Sequence, residues 1–257
     1  MKWHYVCSRY ALPVTLDLLV SVAHPDDEAY GVSGTLAEYA SAGRRTGLIT
    51  MTRGGSGRSL GLCEPHALPD FREAELRASV DTLGIHEFRL YDYPDAAPPS
   101  RGAPGAPTTP GTFLGGLQDV NRQELEDRVT QDLLELQPKV VITFAPDGSN
   151  RHPDHIASSA VTVAAFERAG LRANGSRLFF FASPVLYNPD WADTWRPPTH
   201  ARDITPFLPQ KLKSIAAHRT QALSTINFLS RFAERIPTET FRRAIPEWTG
   251  TELESEL

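Results

Sequence analysis

Short apolar runs alternate with amphipathic segments along most of the chain, and that alternation limits the fold more than any other feature. The runs 16–23 (LDLLVSVA), 46–52 (TGLITMT), 87–93 (EFRLYDY), 139–146 (KVVITFAP) and 176–183 (SRLFFFAS) read as strands. Between them, 33–43, 71–84, 121–138 and 154–170 repeat apolar residues at helical spacing, and Gly43 and Gly84 close the first two. In 71–84, Leu76, Val80 and Leu83 share one face. A further long helix is expected over 206–226. Near-continuous apolar strands separated by helices predict an α/β fold: a Rossmann-like, mostly parallel sheet with helices on both faces. The 257 residues are enough for a full core without disulfides and are read as a single domain, 1–257.

Two segments break the alternation. Residues 93–116 are crowded with Pro and Gly and have no period; a loop of that length reads as a lid, a binding loop or disorder. The tail 250–257 is acidic and expected to fray. The net charge of −5, with signs mixed, argues against a nucleic-acid partner. Cys7 and Cys63 show no metal spacing, so a reducing, cytoplasmic location is expected. Lys2 could start a signal peptide, but Arg9 and Pro13 interrupt the stretch after it, and no apolar run is long enough for a membrane partner.

The chemistry-bearing residues cluster at two strand ends. AHPDDE (23–28) follows the first strand and NRHPDHIA (150–157) follows the fourth. In open α/β sheets ligands bind at the carboxyl ends of strands. His24 with Asp27, and His152 with His155, are i, i+3 pairs that can turn toward one point. Imidazole plus carboxylate, with a position left open, is the donor set of a catalytic zinc or a related divalent ion. Each cluster alone also reads as ordinary helix-start chemistry, with Pro at the first position and acids in the first turn. Two such clusters at strand carboxyl ends favour a shared metal.

AHPDDE followed far along the chain by HPDH resembles the PIG-L/LmbE-like zinc-dependent N-deacetylases, which act on N-acetylglucosamine conjugates. TRGGSG (52–57), FREAELRASVDTLGI (71–85), YPDAA (93–97) and KLKSIAAHRTQ (211–221) also look like family segments, in family order. The resemblance implies a single deacetylase domain in which His24, Asp27 and His155 hold Zn2+ or another divalent transition metal. It implies Asp26 as general base and His152 facing the substrate carbonyl. A protonated His152 would stabilise the oxyanion or help protonate the leaving amine. The implied substrate is a small N-acetylglucosaminide; a malate conjugate is expected ahead of an inositol one, because Arg72 and then Arg53 would pair with its carboxylate, and a homo-oligomer is left open. Mycothiol-type members carry Tyr two residues before the first His of HPDH, where this chain has Asn150.

Other positions carry two readings each. Asp154 either hydrogen-bonds a neighbouring imidazole or is a first-turn acid. Arg53 and Arg72 either contact substrate or are ordinary charges, and Asp95 either holds sugar hydroxyls or forms a turn. Glu28 is expected to cap or to support the metal site from behind, and His218 to be structural. TRGGSG is neither a dinucleotide fingerprint nor a Walker loop, because Leu60 stands at the third glycine position and no Gly-Lys-Ser/Thr follows. The rival readings are a sugar- or metabolite-binding module, another amide hydrolase and a phosphoesterase.

Overall fold

A computed structural model of the chain describes residues 14–97 and 113–257. Seven strands form one sheet: β1 (Leu18–Val22), β2 (Thr46–Thr52), β3 (Glu87–Tyr93), β4 (Val140–Thr143), β5 (Arg177–Phe181), β6 (His200–Asp203) and β7 (Thr238–Ile245). The helices are α1 (Asp27–Gly31), α2 (Ser33–Ser41), α3 (Leu68–Leu83), α4 (Arg122–Leu136), α5 (Pro153–Arg168), α6 (Leu208–Ala217) and α7 (Ala222–Phe232).

The spatial strand order is β3-β2-β1-β4-β5-β7-β6. The first five run parallel; β7 is antiparallel to both β5 and β6. Every residue of β1, β2 and β4 is buried, as central parallel strands covered on both faces require. Helix α3 packs on α2 and α6, whereas α4 packs on α5, giving the two helical layers. Local signals set the helix ends. The Asn121 side chain caps α4 by accepting from the Gln123 and Glu124 amides, and Gly84 ends α3 in the left-handed region at φ 66°.

The structure departs from the sequence expectations at three places. The segment 206–226 is not one helix: α6 stops at Ala217 and α7 starts at Ala222. Tertiary bonds impose the break, since buried His218 reaches Glu28 at 2.6 Å and the Thr220 amide donates to Glu75 at 2.9 Å. The antiparallel strands β6 and β7 were not expected. The tail does not fray: Glu254 pairs with β6, and Leu257 is buried. Most of the loop 93–116 lies outside the described residues; its ends are joined by an antiparallel bridge between Ala97 and Leu114.

Because β1 lies between β2 and β4, the chain leaves it in opposite directions at the carboxyl edge. Such a switch point leaves a crevice at that edge. AHPDDE leaves β1 and NRHPDH follows β4, so the crevice receives both clusters.

Candidate metal centre and active site

His24, Asp27 and His155 form a small triangle. His24 Nδ1 is 3.2 Å from His155 Nε2, His155 Nε2 is 3.3 Å from Asp27 Oδ1, and His24 Nδ1 is 3.6 Å from Asp27 Oδ2. Four donors at the usual zinc distance of about 2.0–2.1 Å in a tetrahedron stand about 3.3 Å apart. The three residues therefore fit one face of such a site. The His155 Nδ1 lies 3.1 Å from the Gly148 carbonyl, which fixes the tautomer and leaves the Nε2 lone pair for a cation. The ring stacks on Phe144 with centroids 3.9 Å apart.

The far side of His24 is held by acids. Its Nε2 is 3.1 Å from Asp154 Oδ2 and 3.3 Å from Asp95 Oδ1. Asp154 is fully buried and also accepts from the Ala96 amide at 2.8 Å and the Leu117 amide at 2.7 Å. Gly116 makes this possible, because at φ 98° a Cβ there would sit 2.4 Å from Asp154 Oδ1. Asp95 accepts from the Ser56 amide at 2.9 Å, tying TRGGSG to the site. Burial opposes ionisation of Asp154, yet the His24 bond and the two amides hold its carboxyl below the usual range.

Asp26 lies beside the triangle at φ 124°, a backbone conformation costing an L-residue about 1–3 kcal/mol. Its surroundings over-determine it. The Asp26 amide donates to Glu28 Oε2 at 3.1 Å, and Arg72 donates to the Pro25 carbonyl. Burial pushes the Asp26 carboxyl up to about 6, against the pull of Arg72. Glu28 is itself buried, accepting from Ser79 at 2.7 Å and facing His218 Nε2. Burial opposes charge on both partners, but their attraction lowers Glu28 and raises His218.

His152 is the N-cap of α5; its Nδ1 accepts from the Asp154 amide at 3.2 Å. A neutral ring then carries its proton on Nε2. Burial, with His24 and His155 nearby, pushes His152 down to about 4, so the ring is a neutral donor at neutral pH rather than a cation. The three imidazoles of His24, His152 and His155 also bring ring nitrogens within 4.8 Å of one another, making His152 a rival third ligand. His24, Asp95 and Asp154 form a second cluster of that kind, but backbone amides already engage both of its carboxylates. Asn150, at the position of the mycothiol-type Tyr, accepts from the His152 amide at 3.0 Å.

The two arginines expected at the substrate are otherwise engaged. Arg72 is buried and donates to the Pro25 and Gly54 carbonyls, the latter at 2.9 Å, and its Nη2 is 3.5 Å from Asp26. A Cβ on Gly54 would lie 2.2 Å from that guanidinium, so the glycine turn exists to admit Arg72. Arg53 pairs with Asp70 and Glu73 on α3 and does not line the cleft. Residue spacing gave no sign of Asp95 facing His24 or of the buried Glu28–His218 pair; only the packing of α1 on α6 brings the latter together.

His24, Asp26, Asp27, His152 and His155 all line one cleft of about 1880 Å³. Residues 19–166, more than half of the chain, match the PIG-L family, described as GlcNAc-PI de-N-acetylase. The chain belongs to this family.

A Kineococcus radiotolerans protein named 1D-myo-inositol 2-acetamido-2-deoxy-alpha-D-glucopyranoside deacetylase is 34% identical over 60% of this chain. The match spans only 45% of that relative's length. A Bacillus anthracis protein named probable N-acetyl-alpha-D-glucosaminyl L-malate deacetylase 2 is 29% identical, over 87% of this chain and 89% of its own. The crystal structure of a conserved protein from Thermus thermophilus superposes with TM-score 0.67 at 28% identity, covering 92% of this chain and 98% of that one. Family membership thus agrees with the mostly parallel α/β sheet. Among the described residues, no helix is long and apolar enough to cross a membrane.

Proposed function

We propose that this chain is a metal-dependent N-deacetylase that hydrolyses the acetamide of an N-acetylglucosamine conjugate. The observation that carries the reading is the His24–Asp27–His155 triangle, sized for one face of a zinc tetrahedron, with Asp26 held against it. Asp27 is preferred to His152 as third ligand because its carboxylate reaches both other donors, whereas the His152 Nδ1 is occupied by the Asp154 amide. The proposed ion is Zn2+, and residues 1–257 are read as one catalytic domain working in the cytosol.

Bound there, the ion would polarise the acetyl carbonyl and acidify a water. The remaining work falls to side chains. Asp26 takes the water proton, and its desolvated carboxyl makes it a stronger base than an exposed aspartate. The neutral His152 donates Nε2–H to the developing oxyanion. Asp154 and Asp95 fix the His24 ring so that Nδ1 faces the triangle.

The conjugate class follows the named relatives, whose substrates carry inositol in one case and malate in the other. A preference for malate cannot rest on Arg53 and Arg72, whose guanidinium groups are engaged within the protein. The test is release of free amine from a panel of N-acetylglucosaminides by the zinc-loaded protein. Release is expected from the wild type and lost in Asp26→Asn; a protein that binds these sugars but releases no amine would be a binding module instead.

A further inference from the structure

The cleft continues past the metal cluster into a compartment that the acetamide chemistry does not need. At about 1880 Å³ the whole cleft exceeds the range of about 300–1,000 Å³ usual for small-molecule pockets. One wall of the outer part is α7. Leu223, Asn227 and Arg231, spaced i, i+4, i+8, line the cleft together with Phe228 and Phe232. The helix buries none of its residues despite this apolar face. Tyr187, Trp191 and Trp195 line the cleft from the segment between β5 and β6.

A row of rings runs from α1 across α7 to the segment between β5 and β6. Tyr30, on α1 just after Asp27, lies 4.9 Å from Phe228; Phe228 lies 5.1 Å from Phe232, and Phe232 lies 4.8 Å from Tyr187. The Tyr30 hydroxyl, 3.0 Å from Thr225 Oγ1, pins α7 to the catalytic end. Beside this row the charge is positive. Arg231 has no hydrogen bond or ion pair among the described residues, and Arg235 donates only to the Tyr187 hydroxyl at 3.0 Å. Arg242, also lining the cleft, donates among the described residues only to the Pro197 carbonyl, at 3.1 Å. Cleft-lining arginines without carboxylate partners are notable in a chain of net charge −5. Four acids line the same part of the cleft: Asp193 pairs with Arg151 at 3.2 Å, Glu239 pairs with Lys211 at 2.6 Å, Asp147 accepts from the Thr194 hydroxyl at 3.0 Å, and Glu234 stands beside the arginines.

We propose that this compartment is an aglycone subsite for a group with a flat apolar body and an anionic substituent. The ring row carries the body, because aromatic faces favour stacked or edge contacts with apolar surfaces. Arg231 and Arg235 take the anion, because a guanidinium binds a carboxylate with paired donors. Charge complementarity and continuity with the inner site favour this occupant over a second copy of the chain. The inference rests on the deacetylase reading of the inner site.

The test compares amine release from the methyl, phenyl and para-carboxyphenyl N-acetylglucosaminides. The expected kcat/KM rises from methyl to phenyl and again, by about tenfold or more, to carboxyphenyl. The double variant Arg231→Ala/Arg235→Ala should remove the second step, and Phe232→Ala should shrink the first. Equal kcat/KM on all three, or variants that lower all three alike, would overturn the subsite while leaving the deacetylase standing. If none releases amine, the deacetylase reading fails and the subsite is judged by binding alone. Saturable quenching of tryptophan fluorescence by the carboxyphenyl compound, lost in the double variant, supports it; no saturable quenching overturns it. A dimer that dissociates on Phe232→Arg would assign the face to a second copy and also overturn it.

Discussion

Replacing Asp154 with Asn separates the two jobs of a fully buried carboxylate. Its Oδ2 faces His24 Nε2 and the Ala96 amide; its Oδ1 accepts from the Leu117 amide. An amide has one acceptor oxygen. If that oxygen keeps the His24 side, the new NH2 meets the Leu117 N–H, and a buried donor is left unsatisfied at about 1–3 kcal/mol. If it keeps Leu117, the NH2 meets the Ala96 N–H instead and presents a donor to His24 Nε2, which favours the tautomer with its proton on Nδ1 and no lone pair toward the triangle. In a domain of this size each kcal/mol moves Tm by about 2–4 °C, so a fall of roughly 2–12 °C is expected. Zinc affinity should fall about 10–100-fold, as for other residues that orient metal ligands. Thermal melts in chelator read the first effect, and competition with a chromogenic chelator reads the second. A melt shift with unchanged zinc affinity would refute the orienting role and leave Asp154 as an anchor for the loop ends.

Asp26→Asn should retain metal and lower kcat by about 10²–10⁴, measured by amine release and elemental analysis; loss of metal would mean that Asp26 is a ligand. Since Asp26 must be deprotonated to accept a proton and burial raises it to about 6, kcat/KM should rise with pH up to about 6 and then level. A bound cation would move that limb lower, so a limb well above 6 would contradict the assignment. Lys211→Ala removes the partner of buried Glu239, 2.6 Å away, and should cost about 3–5 kcal/mol in denaturant unfolding. A loss under about 1 kcal/mol would show that the Gly34 and Thr35 amides, with the Thr35 hydroxyl, satisfy Glu239 unaided.

The parallel half of the sheet was legible because its central strands β1, β2 and β4 are buried on both faces, and the helices between the strands repeat apolar residues at helical spacing. Strands 46–52 and 87–93 have the expected boundaries, and both His clusters stand where their strands end. The antiparallel edge was not legible. Strand β7 (TETFRRAI) buries only Glu239 and Phe241 fully, and one of these is a charged residue that an apolar pattern discards. Strand β6 (HARD) has four residues and one that is fully buried. The break at His218 lies in AAHRTQ, which has no Gly or Pro; contacts with Glu28 and Glu75 override a helical pattern on both sides. Within the site, the i, i+3 spacings pair His24 with Asp27 and His152 with His155, while the adjacency of β1 and β4 joins the two pairs. The partners of Arg53, Arg72 and Asp95 depended on which loop crosses which, information that no local spacing carries.

Zinc titration of chelator-treated protein, following amine release from an N-acetylglucosamine conjugate, tests the metal-dependent deacetylase most directly. Activity should rise from near zero and level at about one equivalent of zinc per chain, with His155→Ala failing to reach that plateau. Amine release that persists unchanged in chelator, or no release at any zinc level while one equivalent binds, would contradict it.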